Sequence, residues 1–296
     1  MSQHKTPLRY PGGKGKLAPF ITEIMKENSL LGGEYAEPFA GGSGVAIELL
    51  LSGAASSVHL NDASTPIFSF WYAILSHTDD FCRRIKSASL TVEEWERQRA
   101  IFEDPEDHSI LDVGFAAFYL NRCNRSGIMS GGVIGGYEQT GTWKMDARFP
   151  RNEMVRRIEA IAIHRDCIYL YNLDAEQFIR DELPGLSKLS LTYFDPPYFR
   201  AGKRLYLNHY LAEDHARLAK LIQSKLKQHW IVSYDNTAEV TGLYEKRRSF
   251  VYDLQYNAAK AYVGKEFFAF SDKLKIPGGS RVASIDKALT EMSPVN

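Results

Sequence analysis

The feature that most limits the fold is a largely apolar run at 189–194 that passes directly into Asp195-Pro196-Pro197-Tyr198. A short run of this kind, without helical periodicity, predicts a strand buried on both faces, as in a parallel sheet. The two prolines then fix the backbone and leave the Pro196 carbonyl with no N–H beside it. In an open α/β sheet, ligands sit outside the carboxyl ends of the strands, which is where this loop falls. A turn built from common turn residues is the plain alternative.

The rest of the chain alternates in the same manner. A strand at 34–40 meets Gly41-Gly42-Ser43-Gly44, and a helix at 45–51 follows. Strand, glycine turn and helix open a doubly wound α/β unit. Further strands are predicted at 57–60, 167–173, 229–234, 250–256 and 266–270, with helices at 17–27, 66–75, 152–163, 175–182 and 211–226. Six or seven strands interleaved with helices imply a mostly parallel sheet. The block 79–150 differs, with helices at 92–102 and 110–122 followed by a glycine-rich stretch at 126–141. It reads as an inserted, mostly helical subdomain, and its long loop as functional. Residues 1–78 and 151–275 then form the main domain, and 276–296 a loose tail.

Composition excludes several classes. Of 296 residues, 44% are hydrophobic and 24% charged, which suits a soluble globular chain with a sizeable core. Formal net charge is zero, so any nucleic-acid surface must be local. Cys82, Cys123 and Cys167 are widely spaced and form no C-x-x-C pair, so neither zinc nor any other metal is expected. The start lacks a signal-peptide core and no stretch is long and apolar enough for a membrane span, so a reducing, cytoplasmic setting is expected.

On Asp195-Pro196-Pro197-Tyr198, the carboxylate and the Pro196 carbonyl can accept both N–H groups of an amine, and Tyr198 can stack on its ring. The Gly41 to Gly44 turn lets backbone approach a ligand closely. It is not a dinucleotide fingerprint, and Gly12-Gly13-Lys14-Gly15-Lys16 is not a P-loop. Asp62, ending the second strand, stands where an acid binds ribose hydroxyls, or where a turn or helix cap needs one.

Taken in order, these motifs resemble the Dam-type DNA adenine-N6 methyltransferases. The likeness runs through Pro7-Leu8-Arg9-Tyr10-Pro11-Gly12-Gly13-Lys14, Glu37 to Gly44, Leu60-Asn61-Asp62, Asn172-Leu173-Asp174, Asp195 to Tyr198 and Val232-Ser233-Tyr234-Asp235-Asn236. Tyr119-Leu120-Asn121-Arg122 with Ser126-Gly127-Ile128 resembles that family's DNA-facing segment. Two departures stand out. Asp174 is followed by Ala175 rather than Phe, with Phe178 one turn on, and Ser126-Gly127 replaces the usual Asn-Gly.

The resemblance implies a Rossmann-like class I methyltransferase sheet with a helical DNA-recognition insert, and S-adenosyl-L-methionine as cofactor. Tyr10, Gly13 and Lys14 would line its pocket, and Glu37, Phe39, Gly41 and Gly44 would hold its methionine end. Asp62 would bind the ribose, Asp174 the cofactor adenine, and Asp195, Pro196, Pro197 and Tyr198 the target adenine beside it. The partner is double-stranded DNA, from which the base must be flipped. Phosphate contacts are expected from Arg122, Arg125, Lys144, Arg148, Arg151, Lys203 and Arg204, and base-edge contacts from Asn121, Asn124 and Gln139. A bacterial or phage setting with cognate restriction or defence components belongs to the same implication. RNA adenine methylation and a non-catalytic DNA-binding module are the rival readings.

Overall fold

The computed structural model describes residues 5–9, 14–200, 210–257 and 261–291. The strands in it are β1 (Gly33–Glu37), β2 (Ala55–Asn61), β3 (Ile168–Tyr171), β4 (Ser190–Phe194), β5 (His229–Asp235), β6 (Ser249–Asn257) and β7 (Ala261–Phe270). They form one sheet in the order β3-β2-β1-β4-β5-β7-β6. The first five pair in parallel, while β7 runs antiparallel between β5 and β6.

Both faces of this sheet are covered, and side chains alternate between two apolar clusters as strand geometry requires. Tyr35, Leu191, Tyr193, Ile231, Phe268 and Phe270 point into the larger cluster. Their strand neighbours Ala36, Phe194, Trp230, Val232, Phe267 and Ala269 point into the smaller one. The helices of the first half are α1 (Ala18–Glu27), α2 (Gly44–Leu51), α3 (Thr65–Ser76), α4 (Thr78–Ser87), α5 (Val92–Glu103), α6 (Ile110–Cys123) and α7 (Arg151–Ala162). After them come α8 (Ala175–Asp181), α9 (Ala212–Lys225), α10 (Ala238–Leu243) and α11 (Ala283–Glu291). Buried residues of α1 to α7 and α11 belong to the larger cluster, and those of α8 to α10 to the smaller.

The stretch expected as an insert is built around α6, which is buried from Val113 to Cys123. A helix apolar on all sides needs neighbours all round. Here α3, α4 and α5 with the turns Arg125–Gly127 and Met145–Arg148 supply them, so the stretch shares one core with the sheet. Phe70, Phe81, Phe115, Phe118 and Phe149 meet edge-to-face or stacked within it. The Ser109 side chain caps the start of α6 by accepting from the Asp112 N–H.

Two expectations are corrected. Residues 277–291 are not a loose tail, because α11 buries Ile285, Ala288 and Leu289 against the β6 side of the sheet. α4 was not expected at all; it starts one residue after α3 ends and buries Phe81, Cys82 and Ile85. No helix among the described residues is long and apolar enough to cross a membrane.

Gly114 allows α6 to lie close on α3. A Cβ at that position would stand 2.4 Å from the Ser69 carbonyl oxygen, which is backbone and cannot swing aside. Gly114→Ala is therefore expected to destabilise the protein by ~1–3 kcal/mol through overpacking. Urea unfolding measures this, and an unchanged midpoint would show that the two helices can separate freely.

Candidate active site

Strand order reverses between β1 and β4, which are adjacent although three crossovers separate them in sequence. At such a switch point the loops leaving neighbouring strands part and open a crevice at the carboxyl ends. Glu37 ends β1 and Asp195 follows β4, so the topology brings these two expected site residues together.

The loop after β1 is folded tightly around its glycines. Gly41 takes φ +45°, where a side chain would be strained, and its N–H donates to Asp62 Oδ2 at 2.8 Å. Its carbonyl accepts from Trp71 Nε1 at 2.9 Å. Gly44 opens α2 against the backbone of Gly15, from which an added Cβ would be 3.2 Å. Glu37 Oε1 accepts from the Ala46 N–H at 3.1 Å, one of the first-turn donors a helix leaves free, and from Tyr35 OH at 3.2 Å. Burial, the largest influence, nevertheless pushes the Glu37 carboxyl up to about 8.

Asn61 joins three strand ends. It is fully buried, donates to the Pro38 and Leu173 carbonyls at 3.0 and 3.1 Å, and accepts from the Leu173 N–H at 3.0 Å. Asp62 thus stands beside both the Gly41 turn and the loop after β3. Its second oxygen accepts from the Ser64 N–H at 2.9 Å, and burial pushes it up to about 6. Asp174 is exposed and caps α8 by accepting from the Glu176 N–H. Phe39 meets Tyr210 edge-to-face at 5.9 Å. Tyr10 and Gly13 lie outside the described residues.

The Asp195 to Tyr198 loop is held from three sides. Ser233 Oγ on β5 donates to Asp195 Oδ1 at 2.9 Å and is itself 2.7 Å from Tyr193 OH. Lys14 Nζ lies 3.4 Å from Asp195 Oδ1 and 2.5 Å from Glu266 Oε2 on β7. Tyr198 OH donates to Glu266 Oε1 at 2.5 Å, and Lys14 lies 5.3 Å from the Tyr198 ring centre. At the loop's far end, Asp235 accepts from the Phe199 and Arg200 N–H groups at 2.8 and 3.0 Å. Asp235 and Glu266 sit directly opposite in the antiparallel β5–β7 pair, an arrangement that repels like charges. These separate partners turn the two carboxylates apart.

Burial is again the main influence on Asp195 and raises it, with Glu266 adding to the rise and Lys14 opposing it. Lys14 is 8% exposed, and the two carboxylates outweigh its burial so that it stays protonated. Asp195 keeps 24% of its side chain exposed, whereas Pro196 and Pro197 are buried and Tyr198 is only 5% exposed. The ring expected to lie open for stacking is therefore closed in this conformation.

The expected DNA-facing residues divide sharply, and several are corrected. Asn121 and Asn124 are fully buried. Asn121 pairs with both the N–H and the carbonyl of Arg9 and donates to the Gly127 carbonyl. Asn124 accepts from Trp95 Nε1 and donates to the Ile128 and Met129 carbonyls. Gln139 closes its own loop through Ile134, Gly136 and Met145 backbone. Arg122, 6% exposed, donates to the Arg148 and Pro7 carbonyls, and Arg151 to the Ile85 and Ala88 carbonyls. Buried polar groups must be satisfied internally, so Asn121, Arg122 and Asn124 are not open to base edges or phosphates, while Gln139 and Arg151 are half-buried with their polar atoms on backbone groups. Asn121 and Arg122 thereby position the segment 7–9; Arg157 donates to the Thr6 carbonyl and the Thr6 hydroxyl to the Gly42 carbonyl, fastening the residues just before it. That segment leads to Lys14. Arg125, Lys144 and Arg148 are exposed as expected, with the Arg148 guanidinium 6.0 Å from the ring of Trp143, itself 68% exposed. Lys203 and Arg204 lie outside the described residues.

Glu266 was not singled out from the sequence. Its one signal is a carboxylate at the head of the apolar run 267–270, in a strand whose place in the sheet only topology reveals. Asn61, Ser233 and Asp235 fall inside recognised motifs, but their bonding roles did not follow from residue type.

A search of curated proteins finds no match. Among solved structures, two of the rRNA methyltransferase AviRa from Streptomyces viridochromogenes are similar. They show 14% and 12% identity and TM-scores of 0.37 and 0.35. The alignments cover 95% and 88% of this chain and 89% and 85% of theirs. The assignment rests instead on a family model that matches residues 10–259, from the segment before Lys14 past the Asp195 to Tyr198 loop and β5. The chain belongs to the D12 class N6 adenine-specific DNA methyltransferase family.

Proposed function

We propose that this DNA adenine-N6 methyltransferase uses S-adenosylmethionine and acts on an adenine flipped out of double-stranded DNA, with Asp195 and the Pro196 carbonyl receiving the target amino group. The observation that carries this reading is the charge balance at the switch point. Asp195 and Glu266 share one buried cation, Lys14, while Glu37 and Asp62 at the neighbouring strand ends are raised by burial. Carboxyl groups held up in this way gain from ionising against a ligand that bears both a sulfonium and an ammonium. Glu37 and the Gly41 to Gly44 turn would hold the methionine end, Asp62 the ribose and Asp174 the adenine. When bound, the cofactor supplies an electrophilic methyl group.

The residues of the chain do the remaining work. An exocyclic amine is a poor nucleophile because its lone pair is delocalised into the ring. Accepting both of its N–H bonds, at Asp195 and the Pro196 carbonyl, favours a localised lone pair. Fixing that geometry lowers the barrier further through orientation. The amine must also shed a proton, and Asp195, whose basicity burial raises, accepts it. Stacking on Tyr198 requires its covered face to open, so entry of the base and exposure of the ring are coupled. Extrusion costs roughly a few kcal/mol. The exposed Arg125, Lys144 and Arg148 supply phosphate contacts that hold the duplex while this happens.

The direct test is tritium transfer from labelled S-adenosylmethionine to genomic DNA lacking adenine methylation, followed by nucleoside chromatography. Label in N6-methyldeoxyadenosine is expected; label only in RNA would overturn the DNA reading of this site. Asp195→Ala should slow transfer by ~100- to 1,000-fold, the cost of losing one oriented group at a reacting centre, with DNA affinity little changed. Near-normal turnover in that variant would remove Asp195 from the mechanism.

Glu37 generates a pH prediction. Its carboxyl is raised to about 8 in the free protein, and an ammonium partner favours the ionised form. Binding below pH 8 must therefore release a proton, and affinity should rise between pH 6 and 8 by up to about tenfold per unit, then level off. Calorimetry in buffers of different ionisation enthalpy measures the released proton. Glu37→Gln should abolish that part of the release; a release unchanged in the variant would assign it to another group.

A further inference from the structure

Glu266 has no role in the chemistry described so far, yet it is fully buried at the centre of the site and reaches two of its parts at once. One oxygen accepts from Lys14 and the other from Tyr198 OH, each at 2.5 Å. Lys14 lies nearer to Glu266 than to Asp195, by 2.5 against 3.4 Å, and its contact with Asp195 is on Oδ1, the oxygen that also accepts from Ser233. Oδ2 is left as the face of Asp195 turned toward an incoming amine. Without a second carboxylate to draw it away, a buried ammonium would close on Asp195 and occupy the acceptor the reaction needs.

We propose that Glu266 is a positioning residue that holds Lys14 off Asp195 and fixes Tyr198 by its hydroxyl, so that Asp195 meets the target amine as a more basic, uncommitted acceptor. This rests on the reading of Asp195 as the amine acceptor. The arrangement explains why a carboxylate stands opposite Asp235 in the β5–β7 pair despite the repulsion between them. It also gives β7 a part in catalysis from an antiparallel strand that contributes no loop to the switch point.

The groups facing Asp195 are Lys14 ahead of α1, Tyr35 and Glu37 on β1, Tyr193 on β4, Ser233 and Tyr234 on β5, and Glu266 on β7. Of these, Glu266 is the one whose charge raises Asp195 directly, while Lys14 lowers it. Removing the Glu266 charge and letting Lys14 approach both act downward on Asp195. Activity that needs ionised Asp195 is lost as pH falls, so the acid limb of the pH profile reports the change.

The experiment compares the full-length enzyme with Glu266→Gln and Glu266→Asp, reading kcat, KM for DNA and for cofactor, and the acid limb of kcat. Glu266→Gln keeps an acceptor for Tyr198 but removes the charge. It should lower kcat by about tenfold or more, leave both KM values within about threefold, and move the acid limb down by about one pH unit. Glu266→Asp keeps the charge but is too short to hold both partners, so kcat should fall with the limb displaced less than in Glu266→Gln. A damaged fold would lower kcat without displacing the limb in the charge-specific order. If Glu266→Gln leaves the limb in place, or Glu266→Asp displaces it as far, the inference is overturned. Absence of N6-methylation by the unaltered enzyme would instead overturn the reading of Asp195 itself.

Discussion

The site depends on one buried cation. Lys14 is 8% exposed, and an ammonium so placed persists only with carboxylates beside it. Its two partners come from the loop after β4 and from β7, and Lys14 itself from the segment ahead of α1. Three parts of the chain, 252 residues apart at the extremes, must be in register before the charge is neutralised. Removing one partner from a pair of this kind typically costs ~3–5 kcal/mol, so assembly of the site and stability of the fold are tied together. This accounts for the bonding of residues 5–9. Asn121, Arg122 and Arg157 of α6 and α7, and the glycine turn through Gly42, each fasten a backbone or side-chain atom of that segment. Helices α6 and α7 and the glycine turn thereby fix residues 6–9, the segment that precedes Lys14 in sequence.

Much of the sheet was legible because buried parallel strands announce themselves as short apolar runs. The run at 189–194 became β4 at Ser190–Phe194, and the strand expected at 229–234 became β5 at His229–Asp235. What escaped was order and direction. Nothing in 266–270 says that β7 inserts antiparallel between β5 and β6, and therefore nothing says that Glu266 comes to face Lys14. α4 escaped because only His77 separates it from α3, with no glycine or proline to mark the break. α11 escaped because Ile285, Ala288 and Leu289 form a stripe of three residues, too short to stand out from a polar tail.

At the site, residue type was a better guide to carboxylates than to amides. The Asp195 to Tyr198 loop, Glu37 and Asp62 converge on one crevice because each ends a strand, and strand ends can be read from periodicity. Asn121 and Asn124 are also polar residues in a recognised motif, yet they lie at the end of a helix buried on all sides. There, amide side chains satisfy backbone groups that water cannot reach. Asn124 binding Trp95 and two carbonyls is the clearest case. Only burial separates the two outcomes, and burial is a property of the packed α6 rather than of its sequence motif.

The neutral total charge hides a division that bears on how DNA can be handled. The crevice holds Asp195 and Glu266 against Lys14 with Glu37 and Asp62 at the neighbouring strand ends, while Arg125, Lys144 and Arg148 stand exposed on the segment that Arg122 and Gly127 tie to residues 7–9. A phosphodiester is attracted to the outer cations and repelled by the inner carboxylates. A neutral adenine meets no such barrier, and its amino group is drawn toward acceptors. Under the proposed function, the same charges that suit a cationic methyl donor would admit the base and keep its backbone outside. Electrostatic segregation, rather than net charge, would then let one site hold a cation and receive part of a polyanion.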